Sequence, residues 1–162
     1  MSQTFTFDSL PQSLDELKAM PEAGLTDPLA AAALVICVLM NYENDTEATC
    51  GMLDYLKGPK PLNPFEKQFL RDRLKGKMYV VRSFFEGTSP SNDYTPGLPY
   101  TITVSEGPYA YAEEGYAKLD IRSSGADSVR QIKMRKKGEQ WFLWENYALS
   151  DIRIPASSDD WT

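Results

Sequence analysis

An α+β domain, with N-terminal helices packed on one face of a C-terminal antiparallel β-sheet, is the fold class this sequence predicts, and three observations predict it. Capped segments with apolar stripes recur through residues 13–76 and then stop. From Met78 the chain turns to alternating β-branched and aromatic runs between dense turn signals, a β subregion over 78–155. Within it, Arg130–Glu145, reading RQIKMRKKGEQWFLWE, joins strand-forming residues to a hairpin turn and is the strongest local signal in the chain.

The helices are well punctuated. Ser13 with Glu16 makes a capping box, and Leu14, Leu17 and Met20 form a stripe before Pro21 ends a short helix. Asp27-Pro28 supplies an N-cap and a proline at the first helical position, opening LAAAALVICVLMNY. Its apolar residues run all the way round, so Pro28–Asn41 is expected to be a central helix enclosed by neighbours. Asn44 with Glu47 repeats the capping logic for a third helix, which carries Ala48, Met52, Tyr55 and Leu56 and ends at Gly58. GPKPLNP is a stiff connector, the best boundary between subregions. Asn63-Pro64-Phe65-Glu66 caps a fourth helix with Phe65, Phe69, Leu70 and Leu74 as its expected buried stripe. Lys67, Arg71 and Lys75 mark its opposite face, read as solvated in preference to an anion or partner patch.

In the β half, MYVVRSFFEG is expected to be a strand, as are Tyr100–Val104 and Tyr116–Arg122. Tyr109 and Tyr111 suggest a short edge strand or a loop, and Ile152–Ile154 a last strand. In the hairpin, Gly138 takes the positive φ of a short loop with a bulge. Trp141, Phe142, Leu143 and Trp144 fill both faces of a strand, which places it inside the sheet under a helical layer. Closure as a cone around a helix, cystatin-like or nuclear-transport-factor-like, is one arrangement of these parts, drawn by analogy.

At 162 residues the chain fits one domain spanning 1–162. Its 17 basic and 23 acidic residues give a net charge of −6, which argues against nucleic acid as a partner. The imbalance is local: residues 1–58 hold two lysines against nine acids. The longest apolar run, Leu29–Met40, falls short of the roughly 20 residues a bilayer span needs, so no membrane association is expected. No leader is read at the start, and a cytoplasmic location is expected. Cys37 and Cys50 are read as reduced thiols, with a disulfide only if neighbouring helices bring them close.

The chemistry is mostly exclusion. The chain has no histidine, which removes Ser-His-Asp and Cys-His nucleophilic sites and histidine-ligated zinc. It has no GxxxxGK[ST] or GxGxxG loop, and neither cofactor nor metal is expected. Glu86, Asp93, Glu113, Glu114 and Asp120 are acids through which carboxylate chemistry could run, although surface solvation is the plainer explanation of them. SSGADS could bind an ion but reads first as a turn. The loop Ser89–Pro99 with Tyr94, and the adjoining Tyr100, Tyr109 and Tyr111, sets aromatics among Gly and Pro, as recognition surfaces do. Packing of a long loop on the sheet is the plainer explanation.

GLPYTITV, EGYAKLDIRSSGADSVRQIKMRKKGEQWFLWE and DIRIPASSDDW together resemble the C-terminal half of an uncharacterised domain family of Firmicutes, over about residues 78–162. The resemblance implies a bacterial source and carries over no catalytic or binding residue. Two functions are therefore expected to compete. The first is a non-catalytic interaction module that presents the Tyr-bearing loop and a sheet face to a protein partner or a second copy. The alternative is a small-molecule pocket between helices and concave sheet, with carboxylate chemistry.

Overall fold

In the computed structural model, which describes residues 1–161, five strands form one antiparallel sheet in the order β1-β2-β3-β4-β5. The strands are β1 (Ser2–Phe7), β2 (Tyr100–Ser105), β3 (Tyr116–Ile121), β4 (Arg130–Lys137) and β5 (Gln140–Asn146). Between β1 and β2 the chain makes α1 (Leu14–Lys18), α2 (Pro28–Leu39), α3 (Thr46–Lys57), α4 (Pro64–Leu74) and α5 (Tyr79–Arg82). The α+β reading with an antiparallel sheet holds. Among the described residues, no helix is long and apolar enough to cross a membrane.

The core lies between α2 and the sheet. Every residue from Leu29 to Leu39 is buried, as an all-round apolar helix requires, and α2 packs on all five strands. The sheet answers with Ile102, Val104, Ala117, Leu119, Ile121, Ile132, Met134 and Leu143, which alternate along their strands onto the same side. The caps form as their spacing predicts at Ser13, Asp27 and Asn63. At α3 the cap moves one residue, because the Asp45 carboxylate accepts from the Ala48 N–H while Asn44 donates to the Asn41 side chain.

Four expectations are corrected. MYVVRSFFEG is not a strand: it forms α5 and a turn, burying Val80, Val81, Phe84 and Phe85 at helical spacing. The following segment wedges β2 from β3, which pair only at Val104↔Ile121 and Ser105↔Asp120. Glu86 N–H donates to Thr101 O and Ser124 N–H to Ser83 O, so the wedge replaces ladder bonds the strands lose. Ile152–Ile154 makes no strand: Arg153 N–H donates to Gly125 O and Arg153 O accepts from the Tyr94 hydroxyl, with no ladder pairing, and Ile152 is buried by packing. At the opposite end of the chain, β1 was not anticipated. Its Thr4-Phe5-Thr6-Phe7 alternation pairs with Tyr100–Thr103, and the Thr4 and Thr103 hydroxyls meet at 2.9 Å.

The fourth correction concerns the hairpin. Lys137↔Gln140 closes a two-residue loop in which Gly138 takes φ +62°. The bulge lies elsewhere: Lys133 pairs with Glu145 and Met134 with Leu143, so Trp144 has no partner on β4. β5 is also an edge strand and not an interior one. Its apolar residues are met by α2 and α3 and by the Gly58–Leu62 connector, whose Gly58 lies against Phe142 and whose Lys60 lies over Trp144. Cys37 is buried and Cys50 half-buried, and both thiols are free.

Candidate functional site

The structure does not bring the four tyrosines onto one surface. Tyr94 is wholly buried: its hydroxyl donates to Arg153 O at 2.6 Å and its ring stacks on Tyr79 at 5.8 Å. It is a core residue, held in the left-handed region at φ +53°, and has no face to offer a partner. Tyr100 is half-buried, edge-on to Phe85. Tyr109 is exposed in a turn, not a strand. Tyr111, in the same turn region, packs edge-on to Trp141 on β5. Its phenol is pushed up by burial and by the nearby carboxylates of Glu106 and Asp27. Tyr94 and Tyr111 therefore sit at opposite ends of β3.

Most of the acids in the β half have ordinary partners. Glu86 accepts from the Thr103 hydroxyl at 2.8 Å, Asp120 from Gln131 at 3.0 Å, Asp93 from Ser157, and Glu113 pairs with Lys133 at 2.8 Å. Glu86 and Asp120 line one open polar cleft with Arg122 and Thr103. Ser83, Thr88, Ser123 and Ser124 lie nearby and satisfy one another, with Ser123 donating to Ser83 and Thr88 paired to Ser124, both at 2.7 Å. That quartet pins the wedge between β2 and β3.

The region with uncommitted binding groups is the flank of β5, built by two devices. The first is the bulge, which releases Trp144 from the ladder and turns its ring toward the solvent face. There it meets Tyr116 at 6.1 Å, Arg135 at 4.5 Å and Lys60 at 4.8 Å. The second is the connector between α3 and α4. Gly58 sits at φ +64°, ψ −122°, a conformation open to glycine alone, and lies against the ring of Phe142. Leu62 N–H donates to Asp54 Oδ1 at 2.9 Å, which sets the connector's far end. Prolines 59 and 61 stiffen what lies between.

Two hollows flank this connector. One, of about 420 Å³, runs between α4 and β5 and is lined chiefly by Leu62, Phe65, Phe69, Leu143 and Tyr147. Phe65 and Phe69 do not form the buried stripe that their spacing predicts: Phe65 is 79% exposed and Phe69 half-buried, and only Leu70 and Leu74 reach the core. At its floor Lys57, almost wholly buried, donates to Glu66 Oε2 at 2.9 Å. Glu66 Oε1 accepts the Asn63 N–H and completes the cap of α4. Burial raises the Glu66 carboxyl, but the Lys57 and Asn63 hydrogen bonds outweigh it and hold the group below its ordinary range. At the rim, the Glu145 carboxylate lifts the Tyr147 phenol to about 12.

The other hollow, of about 480 Å³, opens toward the hairpin and is lined by Lys60, Arg135, Lys136 and Lys137 with Phe142 and Trp144. Reading the sequence expects a pocket between helices and sheet as its alternative, but it assigns no residue of either hollow to a site. The cations stood in the RKKG turn and the rings in the WFLW run, but only the bulge and the connector bring them together.

The chain is thus an α+β domain whose open surface is an edge strand flanked by one apolar and one cationic hollow. It belongs to the family described as a domain of unknown function, DUF6935, whose model matches residues 9–156. No curated protein and no solved structure gives a match.

Proposed function

We propose that the protein is a non-catalytic binding module that grips an apolar segment of a partner protein in the groove between α4 and β5. One observation carries this reading: Phe65 stands 79% exposed on a well-capped helix, beside Phe69, Leu62 and Tyr147 around one concavity. A ring at that position adds nothing to the core, while exposed apolar groups gathered around a hollow are the ordinary form of a recognition site. The occupant inserts side chains and does not extend the sheet. The Trp141 N–H is already bonded to Leu25 O, and the bulge at Trp144 breaks the flat edge a second strand would need. At β5 this argues for an inserted segment over strand addition by a second copy. A cytoplasmic setting, where thiols stay reduced, suits the free Cys37 and Cys50.

A displayed library of random 12-residue peptides, panned on the immobilised protein, tests the reading. Enriched peptides are expected to carry two or three apolar side chains at helical spacing, and to bind Phe65→Ser and Phe69→Ser at least tenfold more weakly than wild type. Peptides that bind both variants as tightly as wild type, or no enrichment at all, would overturn it.

A further inference from the structure

We infer that the second hollow, on the hairpin side of the Gly58–Leu62 connector, is a binding site for an oligophosphate. Its lining holds Lys57, Lys60, Arg135, Lys136 and Lys137 and no carboxylate, in a chain whose net charge is −6. Lys57 is neutralised by Glu66. Among the described residues the other four cations form no ion pair, whereas Lys133, next along β4, is matched by Glu113.

Two of them, Lys60 and Arg135, are placed by rings and not by carboxylates. Lys60 and Arg135 both lie over the ring of Trp144, and Arg135 also over Tyr116 at 5.4 Å, whereas Lys136 lies over Trp141, outside the hollow. An aromatic face attracts a cation through its quadrupole but leaves the full positive charge in place. It therefore restricts long, rotamer-rich side chains before any ligand arrives and reduces the ordering cost of binding. Lys60, Arg135 and Lys137 repel one another around the hollow, and a polyanion relieves that repulsion. The guanidinium fork of Arg135 suits paired oxygens, and the lysines act as point charges along a chain of them.

Charge density selects phosphate over carboxylate. A carboxylate brings one charge per group, whereas a phosphate chain packs several into a few ångströms, on the scale of a hollow of about 480 Å³. Phe142 and Trp144 line the same wall, the first packed against Gly58 and the second covered by Lys60 and Arg135, so the hollow offers charge and not an open ring face. The chain could thus come from a nucleoside triphosphate or from free polyphosphate.

Isothermal titration of the full chain with sodium tripolyphosphate, and separately with ATP, at about 0.15 M salt distinguishes these sources. Wild type is expected to bind tripolyphosphate at one site. Lys60→Ala and Arg135→Gln, both at exposed positions, should weaken binding at least tenfold, and Lys67→Ala and Lys75→Ala on α4 by less than twofold. Tighter binding of ATP assigns the ligand to the nucleotides. Equal binding assigns it to the phosphate chain alone. Phe65→Ser should bind tripolyphosphate like wild type, so this site stands or falls separately from the apolar groove. Absence of heat with both ligands, or equal binding by all variants, would overturn the assignment. So would binding of an oligoglutamate peptide by a protein that ignores tripolyphosphate, which would make the hollow a site for acidic protein segments.

Discussion

Gly58 and Phe142 are locked together: a Cβ on Gly58 would lie 2.8 Å from Phe142 Cγ, and the backbone there has φ +64°. Gly58→Ala therefore carries two penalties, steric overlap and a strained backbone, together costing about 3 kcal/mol. Removing the ring relieves only the first. In urea denaturation, Gly58→Ala with Phe142→Ala is expected to cost less than the sum of the single changes by about 1–2 kcal/mol. Additive costs would mean that the ring does not press on the connector. Tyr94 shows what composition cannot convey. Its loop reads as a display of aromatics, yet a positive φ turns the side chain inward under Gly125, where a Cβ would come within 2.7 Å of Ile152 Cγ2. Tyr94→Phe leaves Arg153 O without its donor and is expected to cost about 1–2 kcal/mol in the same assay.

Among the elements, α4 shows most clearly how one side chain can serve two ends. Glu66 caps its helix with one oxygen and meets buried Lys57 with the other. Because its folded pKa lies below the ordinary 4.5, the unfolded chain binds the proton more readily as acid is added. Its contribution is fully present above about pH 4.5 and is lost as pH falls through the folded value. Glu66→Gln keeps a capping group but leaves Lys57 unmatched. It is expected to cost about 2 kcal/mol at pH 7, less than a fully buried pair because Glu66 is partly solvated, and to flatten the acid limb of the stability profile. Phe65→Ser, by contrast, should change stability at pH 7 by less than about 0.5 kcal/mol. A larger loss would make Phe65 a packing residue and remove the basis of the groove. Elements with local punctuation were legible in the sequence: α1, α2, α4 and the hairpin carry their caps and turns within a few residues. Residues 78–87 misled because β-branched propensity was weighed above the helical spacing of Val80, Val81, Phe84 and Phe85. β1 escaped because its partner lies more than ninety residues away. The binding surface was the least legible part, since one residue of register at Trp144 decides where its ring goes.

At the scale of the whole molecule, α2 joins what the sequence divides into a helical and a β subregion. It packs on every strand, and its eleven residues from Leu29 to Leu39 are all buried, so neither half closes a core without it. The β half also lacks its first strand unless the N-terminus returns, because β1 precedes the helices in the chain and pairs with β2 after them. Helices and sheet are thus interdependent, and the chain is expected to unfold as one cooperative unit. Helical circular dichroism and tryptophan fluorescence report on different layers, since Trp141 and Trp144 both lie on β5. Their urea midpoints should coincide within error, with one slope describing both curves. Loss of helical signal ahead of the fluorescence change would divide the molecule between the helices and the sheet. It would also separate the two walls of each hollow, because Lys60 and Phe65 belong to the helical side and Arg135 and Trp144 to the sheet. Coincident curves, in contrast, mean that both hollows persist for as long as the domain is folded.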